Sequence, residues 1–299
     1  MDDLDVRIVK ELSNPGSPQW NVRETYSGIA KRLGVDEETV RRRLKRAQEL
    51  GTVTGWKMMV NPHLLGCKAA CLDLEVGNEE KKDSMVAEIR QVDGVIKILN
   101  FRGKGLQITL YYESDDALKE ITRLIQSKSS SSNPVAWELH FPRPEIILNK
   151  TDWKIVDAML DDARQSLEEV SRSTGISVRT VERRLTTMSE ERTVYLQGTP
   201  HFKNFMGVSC VFLVFCPAGG EKKRIVDESI LAKVARIELA NTTGDQYSTF
   251  AMIFDNLTQA DDFVGWIEGL DGVQSAKMGI MNELIVVQEW LRRKVRERV

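Results

Sequence analysis

One stretch of this chain is written twice, and that repetition limits the fold more than any other feature. Residues 34–44, GVDEETVRRRL, return 141 positions later as residues 175–185, GISVRTVERRL. The copies share Gly34/Gly175, Thr39/Thr180, Val40/Val181, Arg42/Arg183, Arg43/Arg184 and Leu44/Leu185. A repeat with so long a period means a duplicated structural unit. Asp36 and Ser177 are N-cap residues placed just before a helical pattern. Val40, Leu44 and Ala47 recur at i, i+4 and i+7, one apolar stripe on a helix. Thr39, Arg42, Arg43 and Arg46 are read as the opposite face. A short helix with one apolar stripe, a cationic outer face and a preceding glycine has the pattern of the recognition helix of a helix-turn-helix. A single copy would suit a solvated basic surface helix equally well; two copies with matched flanks favour the first reading.

The flanks also repeat. Leu4, Ile8, Val9 and Leu12 predict a first amphipathic helix, ended by the breaker run SNPGSPQ at 13–19. A second helix is expected over Tyr26–Leu33, and an extended segment over 52–60 leads into a turn at 61–66. The period then falls to two. Strands are expected over 69–76, 95–102, 106–112 and 135–141, with helices over 79–91 and 115–125 and a Ser-rich loop over 127–132. That order is β-α-β-β-α-β, a ferredoxin-like unit. Asp152 to Val156 echoes Asp5 to Val9 at an offset of 147, and Thr193-Val194 echoes Thr52-Val53 at 141, so the first copy holds six extra residues between its first two helices. A second β-α-β-β-α-β runs from Val208 to about Ile280 with Gly244 at its hairpin. A basic amphipathic tail follows, with Leu284, Val287, Leu291 and Val295 on one side and Arg292, Arg293, Lys294, Arg296 and Arg298 on the other.

The expected fold class is therefore α+β. Two helix-turn-helix domains of the winged type (1–66 and 142–206, each with an extended hinge strand) alternate with two ferredoxin-like domains (67–141 and 207–282), before a basic C-terminal helix at 283–299. The net charge of −2 excludes a uniformly basic protein, so affinity for nucleic acid has to come from a local patch. The charged N-terminus gives no signal peptide, and the longest apolar run, Val208–Cys216, is too short to span a bilayer. Cys67, Cys71, Cys210 and Cys216 form no CxxC pair, and only His63, His140 and His201 accompany them, so no metal or other cofactor is expected. The cysteines read as small buried hydrophobes of a reduced, cytoplasmic protein.

The order of these elements resembles the Lrp/AsnC (feast/famine) family of transcription regulators. The matching residues are Leu4-Asp5-x-x-Ile8-Val9, Gly34-Val35-x-x-x-Thr39-Val40-x-Arg42-Arg43-Leu44, Leu50-Gly51-x-Val53-x-Gly55-Trp56 and Asn61-Pro62-x-x-Leu65-Gly66. The resemblance covers nearly the whole chain, twice. It implies a helix-turn-helix domain joined to a ferredoxin-like (RAM) domain that self-associates and often senses a small molecule. One such unit usually dimerises, so two on one chain imply an internal pseudo-two-fold with the sheets facing each other. The partner is double-stranded DNA, and a homo-oligomer is expected with no membrane and no catalysis. The DNA-binding residues are then Thr39, Arg41, Arg42, Arg43, Lys45 and Arg46 in the first copy and Arg179, Thr180, Arg183 and Arg184 in the second. Glu182 stands where Arg41 does, and Thr186 and Thr187 replace Lys45 and Arg46, so the second head is less cationic and either reads a different half-site or serves as scaffold.

Family members that bind amino acids commonly carry Gly-x-x-Asp at the hairpin between the second and third strands. Here Leu106 follows Gly103 and Tyr247 follows Gly244 at that spacing, which argues against an amino-acid effector. Gly103, Gly105, Gly244 and Asp245 are the residues any effector at the hairpins would meet; the plainer reading is that the glycines make turns needing positive φ. Two alternatives share the fold. Sirohaem decarboxylases carry a His-Asn-Tyr-x-Arg stretch; the corresponding residues here are Ile98-Leu99-Asn100-Phe101-Arg102, with no His or Tyr, and Leu239-Ala240-Asn241-Thr242-Thr243 in the second copy, with neither His nor Arg. The other is an architectural DNA organiser to which the stretch Arg292–Arg298 adds phosphate contacts.

Overall fold

The computed structural model describes residues 1–12, 18–131, 134–234 and 236–299. Most of the breaker run at 13–19, together with Ser132, lies outside them. Each copy opens with three helices: α1 (Asp3–Leu12), α2 (Tyr26–Leu33) and α3 (Glu37–Glu49) in the first, α6 (Lys150–Met159), α7 (Leu167–Thr174) and α8 (Val178–Glu190) in the second. Gly34 and Gly175 end α2 and α7 in the left-handed conformation, with φ of +68° and +71°. That conformation suits glycine and turns the chain into the third helix. As expected, Asp36 accepts from the Thr39 amide at 2.7 Å and Ser177 from the Thr180 amide at 3.3 Å.

The extended segments β1 (Val53–Val60) and β6 (Val194–Pro200) are not wings of their own domains. They pair with each other, antiparallel, as a two-stranded ribbon. At the 141-residue offset Trp56 and Lys57 correspond to Gln197 and Gly198, and the register pairs Trp56 with Gly198 and Lys57 with Gln197. Such reciprocal pairing is the mark of a two-fold relation. The contact beside it repeats the pattern: Arg23 donates to the Gln165 carbonyl (2.9 Å), and Arg164, its counterpart, donates to the Glu24 carbonyl (2.7 Å). One apolar core runs through both three-helix units and the ribbon, joining Ile29, Val40 and Met58 to Ile155, Val181 and Leu196.

Each ferredoxin-like unit has the expected topology. The first comprises β2 (Lys68–Glu75), α4 (Lys82–Ile89), β3 (Val95–Phe101), β4 (Gly105–Tyr112), α5 (Asp115–Ser129) and β5 (Val135–Leu139). The second comprises β7 (Val208–Phe215), α9 (Gly220–Ala232), β8 (Ile237–Thr243), β9 (Tyr247–Phe254), α10 (Leu257–Glu268) and β10 (Ser275–Val286). The eight strands form one sheet in the order β5-β2-β4-β3-β10-β7-β9-β8. Trp137 of the end strand β5 stacks on Tyr247 of β9, ring centroids 5.4 Å apart. Inside, Leu99 and Phe101 share a core with Val211, Leu239, Ala251 and Met281 of the other unit.

Two expectations change here, and one asymmetry appears. The last strand runs on to Val286: its first half pairs with β7 and its second, from Met281, with β3. Leu284 therefore belongs to a strand and only Leu291 and Val295 of the expected apolar side lie on the tail helix α11 (Glu289–Arg296). After β5 the matching stretch holds Pro142 and Pro144, which have no N–H to donate, so the first unit makes no equivalent bridge to β8. The Ser-rich segment is not all loop: α5 continues through Ser129, whose buried hydroxyl donates to the Ile125 carbonyl at 2.8 Å.

Candidate nucleic-acid interface

On α3 the apolar stripe Val40, Leu44 and Ala47 is buried, as expected. Arg42 and Arg46 are exposed and, among the described residues, make no ion pair; Thr39 lies on the same side with its hydroxyl donating to Asp36 at 2.7 Å. That bond and the Thr39 amide hold the Asp36 carboxyl below its ordinary range. Arg41 pairs with Glu37 of its own helix (2.8 Å) and lies over the Tyr26 ring, while the exposed Lys45 reaches Glu49 at 3.8 Å. Such exposed pairs are weak and give way to a stronger anion. On α8, Arg179 and Arg183 are exposed and free of ion pairs among the described residues, with Thr180 half-buried beside them. Thr186 and Thr187 turn their hydroxyls back to the Glu182 and Arg183 carbonyls, both at 3.1 Å.

Arg43 and Arg184 do not belong to this face. Arg43 turns inward, its guanidinium 2.7 Å from both Asp2 and Asp5, and Arg184 stands 3.4 Å from the buried Asp152. Asp152 is the counterpart of Asp5, so the same brace ties the third helix to the first in both copies. The signal was in the spacing: position 43 is three residues after Val40 and four before Ala47, on the edge of the apolar stripe.

The tail does not offer a free cationic face either. Arg292 pairs with Asp161 (2.7 Å), Arg296 with Asp157 (3.4 Å), Lys294 with Glu113 (3.1 Å) and Arg293 with Asp93. Trp290, Leu291 and Val295 are buried against the helical core.

At the hairpins only Gly103 has positive φ, +70°. Gly105 begins β4, where a side chain would meet the Phe101 ring, and Gly244 is pressed against Trp137 and the Glu138 carbonyl of the other unit. Neither takes the positive φ expected of it, although the Gly244 amide closes its turn on the Tyr247 carbonyl at 2.8 Å. Asp245 is exposed, 3.5 Å from His140. Lys82, which the sequence did not single out, closes the first hairpin from below by donating to the carbonyls of Phe101, Gly103 and Gly105 at 2.6–2.9 Å. Burial pushes its ammonium down to about 8, against the pull of Glu79 and Asp83. Beside that hairpin a cleft of about 340 Å³ opens between the two ferredoxin-like units, walled by Phe101 and Met278, with Asp73, Arg102, Lys104 and Lys277 at its polar side. Asn100 is buried and Phe101 is packed between Gly105 and Gly279. The four cysteines are free and buried, and no group of three or more His, Cys, Asp or Glu among the described residues is placed to hold a metal. Among the described residues no helix is long and apolar enough to cross a membrane.

The geometry defines a protein with two helix-turn-helix heads mounted on a pair of joined ferredoxin-like units. Residues 1–48 match the AsnC-type helix-turn-helix domain, and residues 148–194 match a winged helix-turn-helix DNA-binding domain. Both heads thus match helix-turn-helix models, the first of them AsnC-type, so the motif stands in tandem on this chain. The chain is similar to the transcriptional regulator Ptr1 of Methanocaldococcus jannaschii, 29% identical over 35% of this chain and 66% of that protein. A helix-turn-helix regulator of Pyrococcus furiosus is 32% identical over 31% and 61%. The chain thus spans about two thirds or less of these relatives' lengths. It is 24% identical to LrpA of Pyrococcus horikoshii over 50% of this chain and 98% of that one. Along its full length the fold is that of the siroheme decarboxylase NirDL, with a TM-score of 0.58, 14% identity and coverage of 99% and 98%. At that identity the likeness concerns the fold.

Proposed function

We propose that this protein is a sequence-specific DNA-binding transcription regulator in which one chain does the work of a family dimer. The single observation that carries the reading is that Arg42 and Arg46 on α3 are exposed and, among the described residues, free of ion pairs, as are Arg179 and Arg183 on α8. Exposed cations at the outer face of a third helix suit phosphate neutralisation and contact with base edges in the major groove. Arg41 and Lys45 add phosphate contacts once their own-helix partners let go. The reciprocal register of β1 with β6 supports the pseudo-dimer, because it relates the two heads as a two-fold would. The heads differ: the second has Thr187 in place of Arg46 and Glu182 in place of Arg41, so the operator is expected to be asymmetric, with half-sites about one helical turn apart or a multiple of it.

The test is a footprint of the full chain on selected duplexes at physiological salt, repeated with Arg42→Ala/Arg46→Ala and with Arg179→Ala/Arg183→Ala. Discrete sites, with each variant losing one half-site, support the reading. Broad, uniform protection favours an organiser, and no binding defeats both. Tight binding of sirohaem in an optical titration would instead favour the enzyme class of the full-length structural neighbour.

A further inference from the structure

The two heads are held in place by different means. In the second, α6 is held by the tail: Asp157 receives Arg292 and Arg296, and Arg298 lies over the Trp153 ring at 5.6 Å. In the first, the position of Asp157 is occupied by Lys10 and that of Trp153 by Val6. No tail helix lies there. Val6 enters the core between the sheets, beside Leu239 and Leu284, and not the core of its own helices. Lys10 donates to the backbone carbonyl of Glu238 at 2.6 Å and pairs with its carboxylate at 3.2 Å. The other carboxylate oxygen of Glu238 accepts from Asn241 at 2.6 Å. Asn241 lines a small cavity between the sheets. Arg236, also at the β8 edge, binds Asp3 at 2.7 Å and Asp255 at 3.1 Å. On the far side of α1, Asp2 and Asp5 grip Arg43 of the recognition helix.

We infer that the β8 edge of the second ferredoxin-like unit sets the position of the first recognition helix through α1, making Arg236 and Glu238 positioning residues for that head alone. The path is contiguous: Asn241 to Glu238, Glu238 to Lys10, and α1 to Arg43. Each step is a hydrogen bond or ion pair at least partly shielded from solvent, where such contacts keep most of their strength. The open β8 edge, left unpaired by Pro142 and Pro144, is what gives α1 a place to dock. A change between the sheets is thereby passed to one head and not the other.

The inference rests on the DNA-binding reading for its function, and the experiment separates the two. The full chain carrying Arg236→Gln/Glu238→Gln is footprinted on the duplex selected by the unaltered protein, and hydrogen exchange is followed on the free proteins. The expected result is a loss of about tenfold or more in affinity at the half-site assigned to α3, the other half-site being kept, with faster exchange in α1 and α3 and none in α8. Arg292→Gln/Arg296→Gln should give the mirror image. General destabilisation would weaken both half-sites equally, and that result, or no change at either, overturns the inference. If the unaltered chain binds no duplex, the DNA reading falls and exchange alone decides: unchanged exchange in α3 overturns the coupling.

Discussion

Arg42 and Arg43 are neighbours in sequence with opposite fates. Arg42 faces solvent with no ion pair among the described residues, and Arg43 is spent on Asp2 and Asp5. Substituting them should therefore give different signatures. Arg42→Ala should leave the melting temperature unchanged and reduce the salt slope of DNA binding by about one. Arg43→Ala, which strips two carboxylates of their partner, should cost about 1 kcal/mol of stability in urea denaturation and weaken DNA binding only through a looser helix. The buried thiols make a second prediction. Burial pushes Cys67 up from its ordinary 9.0 to about 11 and Cys210 to about 12, so the folded state keeps protons that the unfolded chain releases. That stability is fully present below pH 9 and declines as pH rises through the folded values, by up to about 1.4 kcal/mol per pH unit per group. Urea midpoints measured across alkaline pH should fall accordingly, and less steeply in Cys67→Ala.

At the scale of elements, the ribbon is the shared keel of both heads. Met58 at its centre is fully buried among residues from both copies. Met58→Ala should cost about 2–5 kcal/mol in denaturant titration, and hydrogen exchange should quicken in both heads together. The duplicated helices and both ferredoxin-like orders were legible in the sequence because local period and caps decide them. What joins them was not. Residues 281–286 follow a spacing that suits strand or helix, and only β3, about 180 residues upstream, makes them a strand. The place of Arg43 at the edge of the apolar stripe was legible, but its partners, like those of the basic tail, are remote in sequence, and a basic run looks the same whether it faces water or is already paired.

The whole molecule is closed by contacts that cross between copies: the ribbon, β3 with β10, and α1 on the β8 edge. Cutting the backbone in the link between the copies, beside the exposed Ile147, should leave the two pieces associated in gel filtration. The urea midpoint of the nicked protein should then depend on concentration, as that of the intact chain does not. The structure also departs from strict two-fold symmetry in the tail, the proline break and the third helices. The last has a consequence for any duplex the protein reads. On the proposed reading Arg46 would face one half-site and Thr187 the other, so the molecule would settle on a site in one direction and not its reverse, and a promoter would acquire an upstream and a downstream side from the protein alone.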